Sequence, residues 1–360
     1  MLWYCCNRKL TETAMMNWPR LCGDVARAHG DPVLSGIIRS RPEDFVVKEE
    51  LGFEPDEKGE HLYICLEKRD MTTFQAQHHL AGHYGVPLHK VSFSGMKDRN
   101  AVTSQWFSIH HPGAAEELPV FNDPRMRCLH IVRNSRKLQR GSHKGNHFRI
   151  SITQTRGDMD SVQWRLTCLS REGVPNYFGP QRFGPQARNM ALLHAWFSGT
   201  GPVPQRESRS MLLSAARSFL FNRLLNERVA EQCWNKAIPG DCMALEGTGA
   251  VFAASRTSQE ELTRRLQDMD IHPTGFMFGE GNSNCTETCA DKENSIAAAF
   301  PVITAGLCRE GLQMQRRPLR LPVRSLESTV EGKSLILQFF LGRGGYATAM
   351  LRELLAGEPA

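Results

Sequence analysis

One carboxylate in this sequence lies between two cations in a short loop. Asp98 follows Lys97 and precedes Arg99, and Gly95 opens the loop with backbone freedom that other residues lack. If the two cationic heads reach the carboxylate, they favour its charged form, which suits a nucleophile or a base acting on carbon. The alternative is an exposed turn with a weak ion pair, which is the commoner fate of an isolated Lys-Asp-Arg.

Two further segments have residue types that suit a bound pyrimidine. Asn146 and Phe148 stand two apart on a predicted strand and so face the same side, where the amide could hold the polar edge of a uracil and the ring its face. Residues 176–184 combine glycines, amides, three aromatic rings and Arg182. This composition predicts a rigid loop whose rings pack or stack on bases while Arg182 reaches a phosphate or carboxylate. Core filling by Phe148 and a purely structural loop are the alternatives.

The distribution of charge points to a polyanionic partner. The net charge of +6 is modest, but no acidic residue occurs between Asp123 and Asp158. That interval holds a series of cations, which are Arg125, Arg127, Arg133, Arg136, Lys137, Arg140, Lys144, Arg149 and Arg156. Such crowding of like charges favours a negatively charged partner, for which RNA phosphate is the obvious candidate. The alternative is a basic surface that is simply exposed to solvent.

Composition excludes several classes of protein. No run of eighteen apolar residues is present, so no membrane span is expected, and the N-terminus lacks the apolar stretch of a secretory signal. The eleven scattered cysteines do not form a disulfide framework, and reduced thiols are expected. Cys285 and Cys289 stand four apart without a second Cys or His pair at zinc-ligand spacing, so no metal site is predicted.

The elements that must position these residues alternate between strands and helices, which predicts a mixed α/β fold. Strands are expected at residues 45–47, 62–66, 91–93, 104–109, 147–152 and 335–341, and helices at residues 73–83, 210–229 and 346–355 and after Asp158. Residues 275–294 are rich in Gly, Asn and Thr and predict a long loop.

The last strand and helix are too short to fold alone, so they must complete a sheet begun in the N-terminal half. We therefore expect residues 1–32 to be an extension, residues 33–172 and 322–360 to form one discontinuous domain, and residues 173–321 to be inserted into it.

Five blocks of sequence, in order, resemble the TruD family of pseudouridine synthases. They are residues 41–49 (RPEDFVVKE), residues 95–99 with Ala101, Thr103 and Gln105, residues 144–148 (KGNHF), residues 176–184 (NYFGPQRFG), and residues 345–353 (GYATAMLRE). Parts of residues 213–222 and Gly240-Asp241 resemble the inserted domain of the family. The resemblance implies a pseudouridine synthase catalytic domain with an inserted TRUD domain.

Site residues carry over by position. Asp98 matches the catalytic aspartate common to pseudouridine synthases, and Asn146 and Phe148 match residues that line the uridine pocket. Tyr346 matches an aromatic residue near the base. Arg39 stands where many relatives carry lysine, which keeps the charge but changes its geometry. Two further predicted substrate-binding residues, Lys97 and Arg182, come from the charge patterns described above.

The function implied by the resemblance is isomerisation of uridine to pseudouridine in tRNA, at uridine 13 of the D arm. The enzyme is expected to need no cofactor and no metal, to have tRNA as its partner, and to be a cytoplasmic monomer without membrane contact. A catalytically silent tRNA-binding protein or chaperone with the same fold is one alternative. A metal-dependent nuclease or hydrolase is another, and it would need convergent carboxylates or histidines that the sequence does not display.

Overall fold

The computed structural model describes residues 16–113, 121 and 123–357. The chain divides into two compact units. One, called here the sheet unit, consists of Asp31–Gly173 and Pro322–Ala360; the other, the helical unit, consists of Met1–Gly30 and Val174–Leu321. The helical unit is therefore largely a single stretch of chain that interrupts the sheet unit.

The elements of both units are numbered here in chain order. The helices are α1 (Trp18–Gly23), α2 (Thr73–His83), α3 (Met159–Glu172), α4 (Arg188–Phe197), α5 (Arg206–Ala230), α6 (Gln259–Gln267), α7 (Glu287–Ala299), α8 (Pro301–Arg309) and α9 (Ala347–Arg352). The strands are β1 (Leu34–Ile37), β2 (Phe45–Leu51), β3 (His61–Arg69), β4 (Val91–Phe93), β5 (Val102–His110), β6 (Met126–Asn134), β7 (His143–Gly157), β8 (Val174–Pro175), β9 (Cys242–Leu245), β10 (Val251–Ala253), β11 (Ile271–Met277), β12 (Gln315–Pro318), β13 (Arg320–Leu321), β14 (Arg324–Glu331) and β15 (Ser334–Gly342).

A nine-stranded sheet forms the centre of the sheet unit. Its order is β14-β15-β7-β2-β5-β3-β6, with β1 paired to β7 and β4 paired to β5. The β2–β5 pairing is parallel. Strand β15 pairs with β7 over its whole length, from Leu335 opposite Ile152 to Gly342 opposite Gly145. The expectation that the C-terminal strand completes a sheet begun earlier in the chain is thus confirmed.

Helix α2 covers part of one face of the sheet. Thr72 caps the helix by accepting the backbone N–H of Gln75, whose side chain bonds back to Thr72, and this capping box starts the helix at the predicted residue. Ala76 and Leu80 of α2 are fully buried and share a core with Leu62 of β3 and Phe107 of β5. The cap and the apolar spacing thus direct α2 onto the strands that flank the loop at residues 94–101.

Helices dominate the second unit. The long helix α5 contacts α4, α7, α8 and strand β11, and a four-stranded sheet has the order β10-β9-β11-β12. The predicted loop over residues 275–294 is confirmed only for residues 278–286, because β11 continues to Met277 and α7 begins at Glu287. Gly275 lies in β11, where a Cβ would press against the side chain of Leu319. Close packing therefore explains the glycine at this position, and loop formation does not.

The predicted N-terminal extension is only partly described. Residues 1–15 lie outside the described part of the chain, whereas α1 belongs to the helical unit and buries Trp18 against His194 and Phe219. Across the described ranges, no helix has both the length and the apolar character needed to cross a bilayer.

Two glycines face each other across β7 and β15 but have different surroundings. A Cβ on Gly145 would collide with the carbonyl oxygen of Leu341 and the ring of Phe340, whereas a Cβ on Gly342 would meet nothing. We expect Gly145→Ala to lower the free energy of unfolding by about 1–3 kcal/mol through overpacking, measured by urea denaturation. Gly342→Ala is the matched control and should change the free energy by less than about 0.5 kcal/mol. Equal effects of the two substitutions would contradict the close approach of the strands.

Candidate active site

A row of polar residues crosses one face of the nine-stranded sheet. Glu49 of β2 lies directly opposite Asn146 of β7, and Lys48 pairs with Ser104 of β5, so Gln105 follows on the same face as Glu49. Glu49 is 7% exposed, Asn146 9% and Gln105 fully buried. Because buried polar groups need partners, these side chains must either bond one another or hold something above the sheet.

The loop after β4 uses these side chains as its support. Gln105 donates through Nε2 to the carbonyl oxygen of Gly95, and its Oε1 accepts from the hydroxyl of Thr73 at 3.1 Å. The Thr73 hydroxyl oxygen in turn accepts the backbone N–H of Lys97 at 2.9 Å. The loop backbone is therefore fixed on both sides of Met96 by groups from β5 and from the first turn of α2.

Lys97 points into the protein. Its Nζ forms an ion pair with the carboxylate of Glu49, whose other oxygen accepts the backbone N–H of Trp106 at 3.1 Å. Both side chains are almost completely buried. Burial raises the pKa of Glu49, and the positive charge of Lys97 opposes that rise. The head of Lys97 therefore does not reach the Asp98 carboxylate, because its buried ammonium already pairs with Glu49.

Asp98 points the other way and remains half exposed. Its Oδ2 accepts a bond from Nη2 of Arg39 at 2.7 Å, and the carboxylate is 50% exposed while Arg39 is only 13% exposed. The guanidinium of Arg39 also lies over the ring of Phe45, 4.1 Å from its centroid. Arg39 adopts a φ of 58°, a strained value for this residue type that such packing can hold in place.

The cation on the other side of Asp98 also differs from the prediction. Arg99 pairs through Nε with Asp70 at 3.1 Å, and both groups are well exposed. The predicted contact between Arg99 and Asp98 is thus wrong. A different lysine supports the loop. Lys68 is fully buried on β3, and its Nζ donates to the carbonyl oxygens of Met71 at 2.6 Å and of Asp98 at 3.3 Å. Burial lowers the pKa of Lys68 to about 8, although the charge of Asp98 opposes that shift.

The predicted uracil-binding residues lie on β7 and just after β15. Asn146 is buried, and its Oδ1 has no hydrogen-bond partner in the described part of the chain. Phe148 stacks on Phe339, with ring centroids 5.2 Å apart, and meets Phe45 edge-on. Tyr346 is the residue just before α9 and lies a few residues beyond Leu341, which pairs with Asn146. The sheet thus places an amide oxygen that lacks a partner one strand from the carboxylate that anchors Lys97.

Comparison with known proteins shows the family of this chain. The family described as tRNA pseudouridine synthase D (TruD) matches residues 26–194 and 202–354. The chain therefore belongs to the TruD family. The tRNA pseudouridine synthase D of Stutzerimonas stutzeri is 42% identical over 337 residues, covering 92% of this chain and 96% of the relative. That of Nitrosococcus oceani is 41% identical over 336 residues, covering 92% and 94%.

A solved structure supports the same fold. The crystal structure of the putative tRNA pseudouridine synthase D (TruD) from Methanosarcina mazei superposes with a TM-score of 0.71 and covers 96% of this chain and 99% of that one. At 21% identity this likeness bears on the fold alone. The mixed α/β architecture expected from the sequence is the fold of the TruD family.

The aromatic block at residues 176–184 belongs to the helical unit and is mostly buried. Tyr177, Phe178 and Phe183 are 2%, 8% and 1% exposed, and Asn222 of α5 bonds both the N–H and the carbonyl oxygen of Phe178. Arg182 donates to Ser214 at 3.2 Å. These aromatics pack in the protein, so the possibility that they stack on bases is wrong.

The acid-free interval forms β6 and most of β7, where its cations have different environments. Arg125 pairs with Asp123, Arg127 with Glu67 and Lys144 with Glu50. Arg140 lies 3.6 Å above the ring of Phe93. Besides Arg140, four exposed cations of the interval have no ion-pair partner among residues 16–113, 121 and 123–357, and they are Arg136, Lys137, Arg149 and Arg156.

Four residues that build the site received no role from the sequence: Glu49, Lys68, Thr73 and Gln105. Glu49 and Gln105 lie inside two of the blocks that resemble the family, and that position was the only available signal. Lys68 and Thr73 carried no signal, because their partners lie about thirty residues away in the chain.

The opposite environments of Lys97 and Arg99 can be separated experimentally. Lys97→Met leaves the carboxylate of Glu49 buried without its partner, so the free energy of unfolding should fall by about 3–5 kcal/mol. Arg99→Met removes an exposed pair and should cost less than about 1 kcal/mol. Urea denaturation of both variants measures the difference. Similar losses would mean that Lys97 is not buried with Glu49.

Proposed function

We propose that this chain isomerises uridine to pseudouridine in tRNA, at uridine 13 of the D arm, and that Asp98 is its catalytic carboxylate. Family membership supports the class of reaction. The observation that carries the assignment to Asp98 is its placement: a half-exposed carboxylate, paired with Arg39 at 2.7 Å, on a loop that buried side chains hold rigidly.

The reaction suits a site that holds its groups still. Formation of pseudouridine breaks the bond between N1 of uracil and C1′ of the ribose, turns the base, and joins C5 to the same carbon. No atoms are gained or lost, so the chemistry needs no redox partner. Asp98 either attacks C1′ to give a sugar ester or removes the C2′ proton to give a glycal, and both routes need an ionised carboxylate. Arg39 pairs with the Asp98 carboxylate and fixes its orientation.

The uridine must leave its stack to reach Asp98, and the detached uracil must be retained. We assign its recognition to Asn146, whose Oδ1 can accept N3–H of the base, and to the ring surfaces of Phe148 and Tyr346. Arg39 completes this substrate-binding set. Lys97 acts instead as a positioning residue through Glu49. Arg182 remains a proposed RNA contact of the helical unit.

The identity of the RNA rests on resemblance to bacterial members of the family. The names of the relatives support tRNA as the substrate, and uridine 13 is the finer part of the proposal. We further propose that the enzyme is a cytoplasmic monomer and that residues 173–321 act as the inserted TRUD domain. No redox cofactor or energy source enters the reaction.

Asp98→Asn removes the charge while keeping the shape of the side chain. We expect it to abolish tritium release from tRNA transcripts carrying 5-tritiated uridine, with RNA affinity within about threefold of wild type, because few phosphate contacts should depend on one carboxylate. Arg39→Met should reduce turnover on the order of 100-fold through misplacement of Asp98, and Arg39→Lys should restore part of it. Turnover by Asp98→Asn at the wild-type rate would refute the assignment.

The position of the target is tested in the same assay. A transcript with uridine 13 should release tritium once per molecule, and a transcript with cytidine at position 13 should release none. Equal release from both transcripts would contradict uridine 13 while leaving the class of reaction intact. Binding without release from either transcript would favour the catalytically silent tRNA-binding alternative.

The unpaired cations of the acid-free interval are the proposed contacts for phosphate. Replacing Arg136 and Lys137 by Ala should weaken tRNA binding and lower the slope of log affinity against log salt by about one to two. Arg140 is left unchanged because it also packs on Phe93. The control replaces Arg20 and Arg264, two exposed cations of the helical unit, and thus changes the net charge equally. An unchanged slope, or an equal change in the control, would mean that this face does not bind RNA.

A further inference from the structure

Three thiols and a carboxylate converge in the helical unit, apart from any role proposed above. Cys242 begins β9, Cys285 precedes α7, and Cys289 and Glu293 lie one and two turns into that helix. The spacing of four between Cys289 and Glu293 puts both on one face of α7. The three cysteines form one buried cluster. Cys242 is remote in sequence, and the sequence therefore revealed only the pair in positions 285 and 289.

The ligand atoms are close enough to share one ion. The Sγ atoms of Cys285 and Cys289 and a carboxylate oxygen of Glu293 all lie within 4.8 Å of one another. Ligands around a tetrahedral zinc ion are about 3.8 Å apart, as follows from zinc–sulfur bonds of about 2.3 Å. An adjustment of about 1 Å at most would therefore seat an ion. Cys242 lies in the same buried cluster, where its thiol donates to the carbonyl oxygen of Asn284 at 3.1 Å, and rotation of that thiol toward Cys285 would supply a fourth ligand.

Glu293 offers an oxygen that the protein leaves without a partner. The side chain is only 5% exposed, and its Oε1 binds Nη1 of Arg316 at 2.6 Å. Its Oε2 is buried and has no hydrogen-bond partner among the described residues. A buried carboxylate oxygen without a partner is costly. A cation among the thiols would remove that cost while Arg316 keeps the other oxygen.

The surrounding backbone is already arranged for binding. The carbonyl oxygens of Pro239 and Gly240 accept the N–H groups of Cys289 and Thr286, both at 3.1 Å. Gly240 has a φ of 81° and approaches Thr286 too closely for a side chain to fit. This contact brings the segment that leads into Cys242 against the start of α7, so the three cysteines meet without any rearrangement of the chain.

A divalent ion would offset most of the charge of the four ligands. Three thiolates and one carboxylate face a divalent ion and the guanidinium of Arg316, which leaves a single net negative charge. Arg316 is fixed by further bonds to the oxygen atoms of Thr274 and is itself 7% exposed. It thus occupies the position of an outer group that orients a metal-binding carboxylate.

We propose that Cys242, Cys285, Cys289 and Glu293 bind a thiophilic divalent cation, of which zinc is the best fit, in a closed structural site. Thiolate-rich sets of four ligands select zinc over magnesium or calcium, and a site without an open position serves structure and not catalysis. The ion would join the start of α7 to β9 inside the helical unit. It takes no part in pseudouridine formation.

The test uses the full chain, produced in medium supplemented with zinc and purified under a phosphine reductant without chelator. Elemental analysis should find one zinc per chain. After removal of the metal, Co²⁺ alone should give the thiolate-to-metal charge-transfer absorption and the intense visible bands of a tetrahedral site. Both signals should disappear in the double variant Cys285→Ser, Cys289→Ser. They should persist in Cys308→Ser, a matched control in the same unit whose thiol lies outside the cluster.

Glu293→Gln keeps all three thiols, so it tests the site even if the double variant fails to fold. It should bind Co²⁺ at least about tenfold more weakly, with an altered visible spectrum. The proposal fails if the reduced wild-type chain binds neither metal, if the Co²⁺ spectrum survives in the double variant, or if thiol counting and mass spectrometry find a disulfide within the cluster of the chain as isolated. Tritium release is measured separately, so the metal result stands apart from the proposed reaction.

Discussion

The ion pair between Glu49 and Lys97 is the interaction on which the loop that carries Asp98 depends. Two charges removed from water are tolerated only when each satisfies the other, so the pair forms only when the loop is seated on β2 and β5. Lys97 is buried with Glu49, whereas the carboxylate of Asp98 is half exposed and pairs with Arg39. The two adjacent loop residues therefore have opposite environments and different partners.

The remaining supports act on the same few atoms from independent elements. Gln105 holds the carbonyl of Gly95, Thr73 holds the N–H of Lys97, Lys68 holds the carbonyl of Asp98, and Arg39 orients the Asp98 carboxylate. An isomerisation in which no atoms are gained or lost draws its rate from position and electrostatics. A loop tied at successive residues to a strand and a helix meets that requirement better than a free turn would.

Local signals predicted the elements well, and tertiary partners escaped prediction. Thr72 with Gln75 marks the start of α2, and the alternation around Phe148 identifies β7, because both signals involve neighbours in sequence. The partner of Asp98 is not local: Arg39 comes from a segment 59 residues away, and the adjacent cations turn elsewhere. The content of Gly, Asn and Thr predicted a loop at Gly275, but this glycine lies in a buried strand, where its small size allows packing with Leu319. The resemblance to the TruD family predicted roles for Asp98 and Arg39, but the sequence did not predict that the two side chains pair or which buried residues support the loop.

The helical unit interrupts the chain of the sheet unit, and this interruption affects how the protein folds. Strand β7 can pair with β15 only after the entire helical unit has been synthesised. Closing so long a loop is entropically expensive and slow. Strands β8 and β13 offset that cost: Val174 pairs with Leu321, which brings both ends of the inserted segment side by side. If the helical unit folds first on the ribosome, the two ends of the inserted segment are already close together. The β14–β15 hairpin, which is made last, can then pair with β7 without closing a long flexible loop.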